Sequence, residues 1–531
     1  MLKNNNYSIK DYVDKLPERY QPIFKHDELS ENVSRKSEDR LDHIVNIYKV
    51  FEKKLDRPLR VLDLGCAQGF FSLSLAEIGA SVVGIDLSDI NIEVCNQLAN
   101  EHPGFNVDFQ VASIENIIAT LQRDQYDIVL GLSVFHHIVY KEGIEFVQAL
   151  LKALGDNVAI GIFEFALADE PMYWGVSQPK DSQQLLEGFL FIHELDRHNT
   201  HLSTITRPLY VVSNHYWCLN DQIGIFDSCT TNSHALVQGT WKGTRRYYMA
   251  DKLIIKMIRL DHDVLGTSNL QEYNNEVVFL KNISPSSHFP KLLLYGQNQY
   301  EAWLVREKLP GDLLLDKILC DGQYDVNCVL HDVLNELAEL ESLGFYHNDL
   351  RPWNVLITAE SHASLIDYGS IAKKQEDCEW PHNLFLTFLT FAYETITRKV
   401  NGSYPFRPIV ISPGQFMQPY QKWITEFWSY PTSKWSFKLL FELFLQMSDD
   451  KKSDNLPEVT SLYLWMQSME DAANRHTALI RHLQYQLDNS ANIMVEIKDA
   501  LNRINISMEK TVCQKVKRKL KKIFYLKDLF H

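Results

Sequence analysis

The sequence lacks the features typical of a disulfide-bonded, secreted or membrane-spanning protein. Eight cysteines occur among its 531 residues, but no two form a CxxC pair and their spacing is irregular, so reduced thiols are expected. Residues 1–6 provide no apolar core of signal-peptide length. The longest apolar stretch, residues 384–393, contains two threonines and falls short of the roughly 18–20 residues that span a bilayer. We therefore expect a cytoplasmic protein, or one bound to the cytoplasmic face of a membrane.

An excess of positive charge is also absent, because the formal net charge is −15 at pH 7. This charge argues against a general nucleic-acid partner, since neutralising phosphates needs a basic surface. Apolar residues make up 45% and charged residues 23%, which is ordinary for a globular chain of about three domains. Six lysines and arginines crowd residues 515–522. Basic charge is therefore concentrated at the C-terminal end.

Residues 345–357 have the pattern of a catalytic loop. An apolar segment leads into a short polar loop with Asp349, and Asn354 follows five positions later. A second apolar segment delivers Asp367, eighteen positions beyond Asp349. Phosphoryl transfer from a nucleotide needs one carboxylate to orient the acceptor hydroxyl, and an amide and a second carboxylate to hold Mg²⁺. The spacing therefore predicts Asp349 as a catalytic residue and Asn354 and Asp367 as magnesium ligands. Arg351 is expected to offset charge on the transferred group.

This pattern resembles the protein-kinase-like fold, and the preceding sequence supplies other parts of an ATP site. Lys256 lies on a predicted strand and is expected to hold the α- and β-phosphates. Glu276 lies on a predicted helix and is the expected salt-bridge partner of Lys256. The hinge follows the last predicted strand of this part. Its backbone groups at Glu307, Lys308 and Leu309 are expected to bind adenine.

Two other features of protein kinases are degenerate or missing. Only Gly239 and Gly243 remain of the glycine-rich loop predicted in residues 237–247, which leaves open whether this loop contacts ATP. No long activation segment with an Ala-Pro-Glu end follows Gly369, because residues 370–381 lead into an apolar helix. This truncation resembles small-molecule and sugar kinases more than kinases that clamp a peptide.

Residues 60–70 predict a buried strand, a glycine turn and a helix. Asp63 stands two positions before Gly65. Gly65 and Gly69 let the backbone approach a ligand closely. The next strand ends in Asp86, 21 positions after Gly65, where a carboxylate can accept hydrogen bonds from both ribose hydroxyls. The loop lacks the G-x-G-x-x-G pattern of NAD enzymes. It resembles the Rossmann-like S-adenosylmethionine methyltransferases.

That resemblance implies further cofactor contacts. Ser113 and Ile114 occupy the position where this family contacts the adenine. Leu132 and Ser133 follow the fourth predicted strand, where backbone carbonyls usually meet the methionine ammonium group.

Three residues near these strands are left open. His136 and His137 are adjacent, so they cannot both face one ligand on a regular helix. One packed and one solvated imidazole is as good an interpretation as a role near the methyl acceptor. Arg207 precedes a later strand and would either face an anionic acceptor or be a surface charge.

An interval of about six heptads without glycine or proline predicts a coiled coil. The seam residues are Leu462, Met466, Met469, Ala473, His476, Ile480, Leu483, Leu487, Ser490, Met494, Ile497, Leu501, Ile504 and Met508. We expect a homo-oligomer, with a trimer a possible outcome. The basic residues beyond the seam alternate with apolar ones, which suits an anionic membrane surface at about 1 kcal/mol for each cation. A solvated end of the coiled coil is the alternative.

The combination resembles, over residues 1–531, the bifunctional kinase–methyltransferases that terminate bacterial O-antigen polymannose chains. The expected parts are an α/β Rossmann-like methyltransferase domain at 1–222, an α+β bilobal protein-kinase-like domain at 223–455, a long α-helical coiled coil at 456–512 and a basic amphipathic tail at 513–531.

The resemblance implies a two-step reaction. The kinase would phosphorylate the non-reducing terminal mannose of a lipid-linked polymannose chain with ATP, and the methyltransferase would methylate that phosphate. Tyr20, Gln21 and Arg40 would help to bind S-adenosylmethionine. A polymerising mannosyltransferase is the implied protein partner, and the cytoplasmic face of the inner membrane is the implied location.

Two other classes of function stay open. One is a small-molecule or protein kinase with a regulatory methyltransferase-like domain. The other is a membrane-associated scaffold that recruits a glycosyltransferase through its coiled coil, although the intact kinase residues argue against inert domains.

Overall fold

The structure, a computed structural model, describes residues 8–200, 204–230, 234–236, 243–262, 264–283, 289–375, 384–400, 409–449 and 461–527. Gly239 and most of the predicted glycine-rich loop lie outside these residues. The chain forms two compact units, Met1–Ser233 with Gln238–Leu309 and His234–Val237 with Pro310–His531. Among the described residues, none of the helices combines the length and apolar character needed to cross a bilayer.

A seven-stranded sheet organises the first part of the first unit. Its strands are β1 (Arg60–Leu64), β2 (Ser81–Asp86), β3 (Val107–Val111), β4 (Ile128–Leu132), β5 (Ile160–Glu164), β6 (Phe191–His198) and β7 (Arg207–Ser213). The order is β3-β2-β1-β4-β5-β7-β6, with β1 to β5 parallel and β7 antiparallel to both of its neighbours. Because β1, β4, β5 and β7 are almost wholly buried, they read as continuous apolar runs. This sheet confirms the predicted Rossmann-like class.

Helices cover both faces of this sheet. They are α1 (Ile9–Val13), α2 (Glu38–Leu55), α3 (Phe70–Glu77), α4 (Asp89–Glu101), α5 (Ile114–Thr120), α6 (Phe135–Glu142) and α7 (Ile144–Asn157). In the fully described stretch between α1 and α2, a 3-10 turn at Asp27–Leu29 is the only helical element. Pro17 and Pro22 lack the amide hydrogens that a helix needs, and the segment binds the glycine turn instead.

The same unit contains a five-stranded antiparallel sheet and a helix. A hairpin of β8 (Tyr216–Leu219) and β9 (Gln222–Ile225) leads to β10 (Ser228–Thr230), β11 (Arg245–Met249), β12 (Leu253–Arg259), α8 (Gly266–Asn282), β13 (Leu292–Gln297) and β14 (Glu301–Glu307). The order of this sheet is β10-β11-β12-β14-β13. Since β9 pairs with β8, the hairpin extends past residue 222, and the domain boundary expected there stays a prediction.

The two sheets share one hydrophobic core. Buried residues of the first sheet, such as Phe191, belong to the same cluster as Tyr248, Ile255 and Trp303 of the second. At its edge, buried Glu301 accepts a hydrogen bond from the Glu194 amide at 3.1 Å. The methyltransferase-like sheet and the small kinase-like sheet are therefore packed as one body.

The second unit consists of short strands and helices. They are β15 (Asp312–Leu313), α9 (Leu314–Leu319), α10 (Val326–Ser342), β16 (Tyr346–His347), β17 (Val355–Ile357), β18 (Ala363–Leu365), β19 (Ile371–Ala372), α11 (Leu384–Thr397), α12 (Tyr420–Ser429) and α13 (Phe437–Asp449). The predicted catalytic loop lies between β16 and β17. The apolar stretch expected to form a buried helix is α11, most of whose residues are buried.

A single helix, α14 (Ser461–Lys527), forms the end of the chain and is about 100 Å long. Near its start, Glu470 is buried and accepts hydrogen bonds from the backbone amides of Ile411 and Ser412. Farther along, predicted seam residues are exposed, with Leu487 at 70% and Met494 at 72%. The apolar seam residues between Ile480 and Leu501 are therefore uncovered by the described part of the chain.

Candidate active sites

The glycine turn after β1 has a backbone conformation that favours glycine. Gly65 and Gly69 have φ angles of +75° and +76°. A Cβ at Gly65 would lie 2.8 Å from Cγ2 of Val134, and one at Gly69 would lie 3.0 Å from Sγ of Cys95. These two positions therefore require glycine because a side chain would collide with neighbouring residues of the protein. The sequence indicates a different reason, which is the close approach of a ligand.

Two carboxylates hold this turn. Asp63 is buried and accepts a hydrogen bond from Ser72 Oγ at 2.7 Å. Burial, with a contribution from the nearby Asp86, raises the pKa of Asp63 to about 6. Asp86 accepts from the amides of Ala67 at 3.0 Å and Ser88 at 2.9 Å. The carboxylate of Asp86, which is predicted to bind ribose, is therefore oriented by backbone amides at the end of β2.

The segment between α1 and α2 is joined to the same turn. Gln68 Oε1 accepts hydrogen bonds from the amides of Tyr20 at 3.1 Å and Gln21 at 3.0 Å. In return, Gln21 Oε1 accepts from the Phe70 amide at 3.2 Å. Tyr20 and Gln21, far from the turn in sequence, are thus brought to it.

A buried charge network lies beside the end of β4. The guanidinium of Arg35 donates to both carboxylate oxygens of Glu164, one of them at 2.9 Å, and to Ser133 Oγ at 2.6 Å. Arg40 Nη1 lies 3.4 Å from Glu164 Oε2, and its Nη2 donates to the Lys36 carbonyl at 2.8 Å. One carboxylate therefore faces two guanidinium groups, which leaves an excess of positive charge.

The protonation of Glu164 follows from these contacts. Burial alone would raise its pKa, but the charges of Arg35 and Arg40 and the Ser133 hydrogen bond lower the pKa below its ordinary value. Glu164 is therefore ionised, and it fixes Ser133, whose φ of +56° is in the left-handed region.

The remaining predicted cofactor residues lie at the carboxyl ends of the parallel strands, where ligands bind in open α/β sheets. Ser113 is the N-cap of α5 and accepts from the Asn116 amide at 3.3 Å, and Ile114 is buried behind it. Leu132 is the last residue of β4.

His136 and His137 point to different environments. His136 is buried, and its Nδ1 has no hydrogen-bond partner among the described residues. Burial, reinforced by His137, Arg207 and Arg35, lowers the pKa of His136 to about 2, so its imidazole is neutral. His137 is exposed, and its Nδ1 lies 3.2 Å from the hydroxyl of Tyr173.

Arg207 is not a surface charge, which corrects one of the two alternatives. It is buried and donates two hydrogen bonds to Glu170, from Nε at 2.8 Å and from Nη2 at 2.6 Å. Its guanidinium carbon lies 5.9 Å from the centre of the Trp174 ring. The ring centres of Trp174 and His136 are 4.6 Å apart. Arg207, Trp174 and the two histidines therefore form one cluster.

In the five-stranded sheet, the structure brings together the expected ion pair. Lys256 Nζ donates to Glu276 Oε2 at 2.7 Å, and their side chains are 4% and 1% exposed. Arg306 Nε lies 3.6 Å from the other oxygen of Glu276. The pair therefore joins β12 to α8 in a site from which water is excluded.

The predicted hinge follows β14. The Glu307 amide donates to the Lys291 carbonyl at 3.0 Å, and the Lys308 amide donates to the Lys252 carbonyl at 2.9 Å. An adenine contact from these two residues would therefore use their carbonyl groups. Leu309 is the last residue of the first unit.

The catalytic loop in the second unit is held by its own side chains. Asn354 Nδ2 donates to the Asp349 carbonyl at 2.8 Å and to Asp349 Oδ2 at 2.7 Å. Arg351 Nε lies 3.4 Å from Asp349 Oδ1. His347 is buried, with Nε2 at 2.8 Å from the Ile366 carbonyl, and its Nδ1 accepts from the Asp349 amide at 3.3 Å.

Asp367 adjoins this loop through the backbone. The Ile366 amide donates to the Asn354 carbonyl at 2.9 Å. Asp367 has a φ of +65°, and its Oδ2 accepts from Ser370 Oγ at 3.0 Å. The backbone thus ties the two predicted magnesium ligands together. An amide oxygen and a carboxylate are donors that suit Mg²⁺.

Sequence reasoning missed Arg35, Glu164 and Gln68. Glu164 carries a usable signal, since a lone acid at the carboxyl end of a buried apolar strand of an α/β sheet faces the ligand crevice. Arg35 lies in a polar segment without periodicity, and nothing in its neighbours singles it out.

Comparisons with known proteins identify two kinds of domain in the chain. Residues 55–173 match a family model described as a methyltransferase domain, and residues 239–404 match a model described as a protein kinase domain. The family models therefore cover the glycine turn and the catalytic loop, respectively.

The chain is similar to the Escherichia coli protein named O-antigen chain terminator bifunctional methyltransferase/kinase WbdD. The two are 42% identical over 438 residues, which cover 81% of this chain and 62% of that protein. This chain thus spans less than two thirds of the curated relative's length.

Solved structures of WbdD are also similar. A crystal structure at 2.2 Å matches with a TM-score of 0.74 and 38% identity, and covers 87% of this chain and 99% of its own. A lower-resolution structure of WbdD with its C-terminal bundle ordered matches with a TM-score of 0.81 and 37% identity, and covers 93% of this chain and 100% of its own. The chain therefore belongs to the WbdD family of bifunctional methyltransferase/kinases.

Proposed function

We propose that this protein caps an O-antigen polymannose chain in two steps. It phosphorylates the non-reducing terminal mannose of the lipid-linked chain with ATP, and then methylates that phosphate with S-adenosylmethionine, which ends elongation. The observation that carries the proposal is the presence, in one chain of this family, of a buried Lys256–Glu276 pair, an ordered Asp349–Asn354 loop and a glycine turn beside a buried charge network.

In the phosphorylation step, Asp349 orients the mannose hydroxyl and accepts its proton. Arg351 offsets negative charge on the transferred group, and Lys256, fixed by Glu276, holds the α- and β-phosphates of ATP. The carbonyl groups of Glu307 and Lys308 and a backbone group of Leu309 meet the adenine.

Mg²⁺ would be held by Asn354 and Asp367. Because the Asn354 amide nitrogen donates to Asp349, its carbonyl oxygen is the atom that this residue offers to a cation. Bound Mg²⁺ supplies charge neutralisation on the phosphates.

In the methylation step, the residues of the first unit bind S-adenosylmethionine. Asp86 accepts hydrogen bonds from the ribose, Ser113 and Ile114 contact the adenine, and Leu132 and Ser133 meet the methionine end. The remaining residues of the proposed cofactor site are Tyr20, Gln21, Arg40, Asp63, Gly65 and Gly69. An acceptor phosphate is already anionic, so the transfer needs alignment and positive charge rather than a strong base. Arg35 and Arg40, which face the single carboxylate of Glu164, supply an excess of positive charge in this unit.

The C-terminal helix would place these reactions at a membrane. Exposed apolar seam residues of α14 support a homo-oligomer, for which a trimer is our preferred state. The relative's ordered C-terminal bundle supports packing between helices in this region. The basic end of each chain would bind an anionic bilayer, and several copies would act together. A polymerising mannosyltransferase at the cytoplasmic face of the inner membrane is the proposed partner.

The test uses a short synthetic mannoside and two variants. Asp349→Ala is expected to abolish phosphorylation and, on an acceptor that ends in free mannose, methylation as well. Asp86→Asn is expected to stop at the phosphorylated, unmethylated product. A pre-phosphorylated acceptor should restore methylation to Asp349→Ala; continued absence of methylation there would refute the sequential scheme.

The same assay separates the alternatives. Phosphate on a peptide or an aminoglycoside, without methyl transfer to glycan phosphate, would indicate a kinase with a regulatory methyltransferase-like domain. Absence of nucleotide turnover with every acceptor would indicate a scaffold.

A further inference from the structure

Four side chains that can bind a metal meet at one edge of the first sheet, where Asp39 Oδ1 lies 3.5 Å from Nε of Arg40 in the charge network around Glu164. Asp39 and His43 are four residues apart on α2, so they lie on one face of the helix. Asp196 and His198 are two residues apart on β6, so they lie on one face of the strand. The candidate ligand atoms of His43, Asp196 and His198 lie within 4.8 Å of one another.

The buried member of the cluster has an unused nitrogen. His198 is 5% exposed, and its Nδ1 lies 2.9 Å from Asp39 Oδ2. Its Nε2 is shielded from solvent and has no hydrogen-bond partner among the residues that the structure describes. A buried polar atom without a partner is costly, so a ligand at this nitrogen would be stabilising.

The hydrogen bond between His198 and Asp39 orients the ring for a ligand. With the proton on Nδ1 donated to Asp39, the lone pair is on Nε2. This arrangement of carboxylate and histidine is the one that orients histidines bound to zinc.

We propose that His43, Asp196 and His198 bind one divalent transition-metal ion, with zinc the best match, and that Asp39 orients His198. Two imidazoles and a carboxylate favour zinc over magnesium or calcium, which prefer all-oxygen sites. Three protein ligands leave the fourth position to water or another ligand.

Two of the proposed ligands already have nearly the spacing of zinc ligands. His43 Nε2 and Asp196 Oδ2 are 3.6 Å apart, close to the roughly 3.3 Å that separates ligands around a tetrahedral zinc ion. The side chains of His43 and Asp196 are 34% and 52% exposed, so they have room to move toward His198.

The ion would tie two functional parts together. Helix α2 also carries Arg40, which contacts Glu164 in the proposed S-adenosylmethionine site. Strand β6 also carries His193, whose Nδ1 lies 2.9 Å from Glu301 of the small kinase-like sheet. The metal is therefore expected to stabilise the first unit.

A second group, Cys328, Asp332 and His362, provides an internal comparison. Asp332 Oδ2 already accepts from the Ala363 amide at 3.0 Å and lies 3.1 Å from His362 Nδ1. His362 is 69% exposed. Because its atoms have partners or reach water, this group lacks the buried, unused nitrogen of the first.

The experiment titrates zinc into the full chain, purified without a histidine tag and stripped with a chelator. Binding is followed by competition with a chromogenic chelator, and thermal unfolding is measured with and without zinc. We expect tight binding in the wild type and a higher unfolding temperature with zinc. His43→Ala and His198→Asn should lose one equivalent of tight binding, and Asp39→Asn should bind that equivalent about 10–100-fold more weakly.

Two matched variants serve as controls. His215→Ala removes an exposed histidine from the same unit, and His362→Ala removes one from the comparison group. Both should retain the equivalent that His43→Ala loses. No tight equivalent in the wild type, or its loss in His362→Ala and not in His43→Ala, would overturn the proposal. Because His43 is partly exposed, its variant is a valid test even if His198→Asn fails to fold.

Discussion

At the scale of single residues, the proposed sites depend on buried charges that face opposite charges. Glu164 is fully buried between Arg35 and Arg40, and Glu276 is buried between Lys256 and Arg306. Leaving one member of such a pair buried alone is strongly destabilising. These pairs therefore fix side-chain positions before any cofactor binds.

The Lys256–Glu276 pair gives the first prediction. Glu276→Gln removes the charge that orients Lys256, so kcat/KM for phosphorylation should fall by about 100-fold or more, as expected when a phosphate-binding group is misplaced. Methylation of a pre-phosphorylated acceptor should be unchanged. Glu272→Gln, one helical turn earlier on α8, is the matched control, because Glu272 pairs with Arg245. Equal losses in both variants would contradict the assigned role.

His136 gives a prediction about pH. Its pKa is lowered to about 2 in the folded chain, so below its ordinary value of 6.5 the unfolded chain binds a proton that the folded chain does not. Stability is therefore lost as pH falls below about 6.5, by about 1.4 kcal/mol per pH unit from this residue. We expect denaturant unfolding to show that, below about pH 6.5, the free energy of unfolding of the wild type falls by about 1.4 kcal/mol per pH unit more than that of His136→Asn. The exposed His215→Asn should follow the wild type, and parallel curves for all three would refute the assignment.

At the level of residues, sequence reasoning is informative about contacts between residues that are close in the chain. Asp349 and Asn354 are five positions apart in one loop, and the structure joins them by a direct hydrogen bond. Arg35 and Glu164 are 129 positions apart, so no local pattern reveals their contact. The role of Gly65 is also more complex than its spacing suggests, since Val134 occupies the space that a Cβ would need.

At the scale of elements, hydrophobic patterns predicted the strands well. The buried strands β1 and β4 are continuous apolar runs bounded by turn residues, which is a strong signal. The segment between α1 and α2 was not predictable, because tertiary hydrogen bonds to Gln68 determine its path. The seam of α14 was visible as a heptad repeat, and its residues between Ile480 and Leu501 are exposed.

The exposed seam gives the third prediction. Replacing Ile480, Leu487 and Met494 together by serine should reduce the mass in sedimentation from an oligomer to one chain, because the apolar contact between helices is lost. Binding to anionic vesicles should weaken by about 100-fold or more through lost avidity. Both reactions on a short soluble acceptor should persist.

Asp488→Ser with Asn489→Ser is the control, since these residues lie off the seam on the same helix. An unchanged mass of the triple variant would show that another surface holds the oligomer together.

At the scale of the whole molecule, the methyltransferase-like sheet and the small kinase-like sheet share a core. Glu301 is buried and pairs with Arg246, whose Nη1 donates to the Ile192 carbonyl at 2.6 Å. Tyr248 donates to the Leu190 carbonyl at 3.0 Å. The linear order of two domains in the sequence therefore hides a shared packing unit.

Breaking this junction gives the fourth prediction. Glu301→Ala leaves Arg246 buried without its partner and should destabilise the first unit by about 3–5 kcal/mol, measured by denaturant unfolding. Both activities should lose thermal stability together. Asp251→Ala, at an exposed position on the same part of the chain, is the control. If only the kinase activity lost thermal stability, the result would contradict a shared core.

The most direct test of the two-step account is one measurement on the wild-type protein. A mannoside that ends in free mannose is incubated with labelled S-adenosylmethionine, with or without ATP, and the products are analysed by mass spectrometry. We expect labelled methyl groups only when ATP is present, and only on molecules that also carry phosphate. Methyl transfer to the unphosphorylated mannoside without ATP would contradict the account.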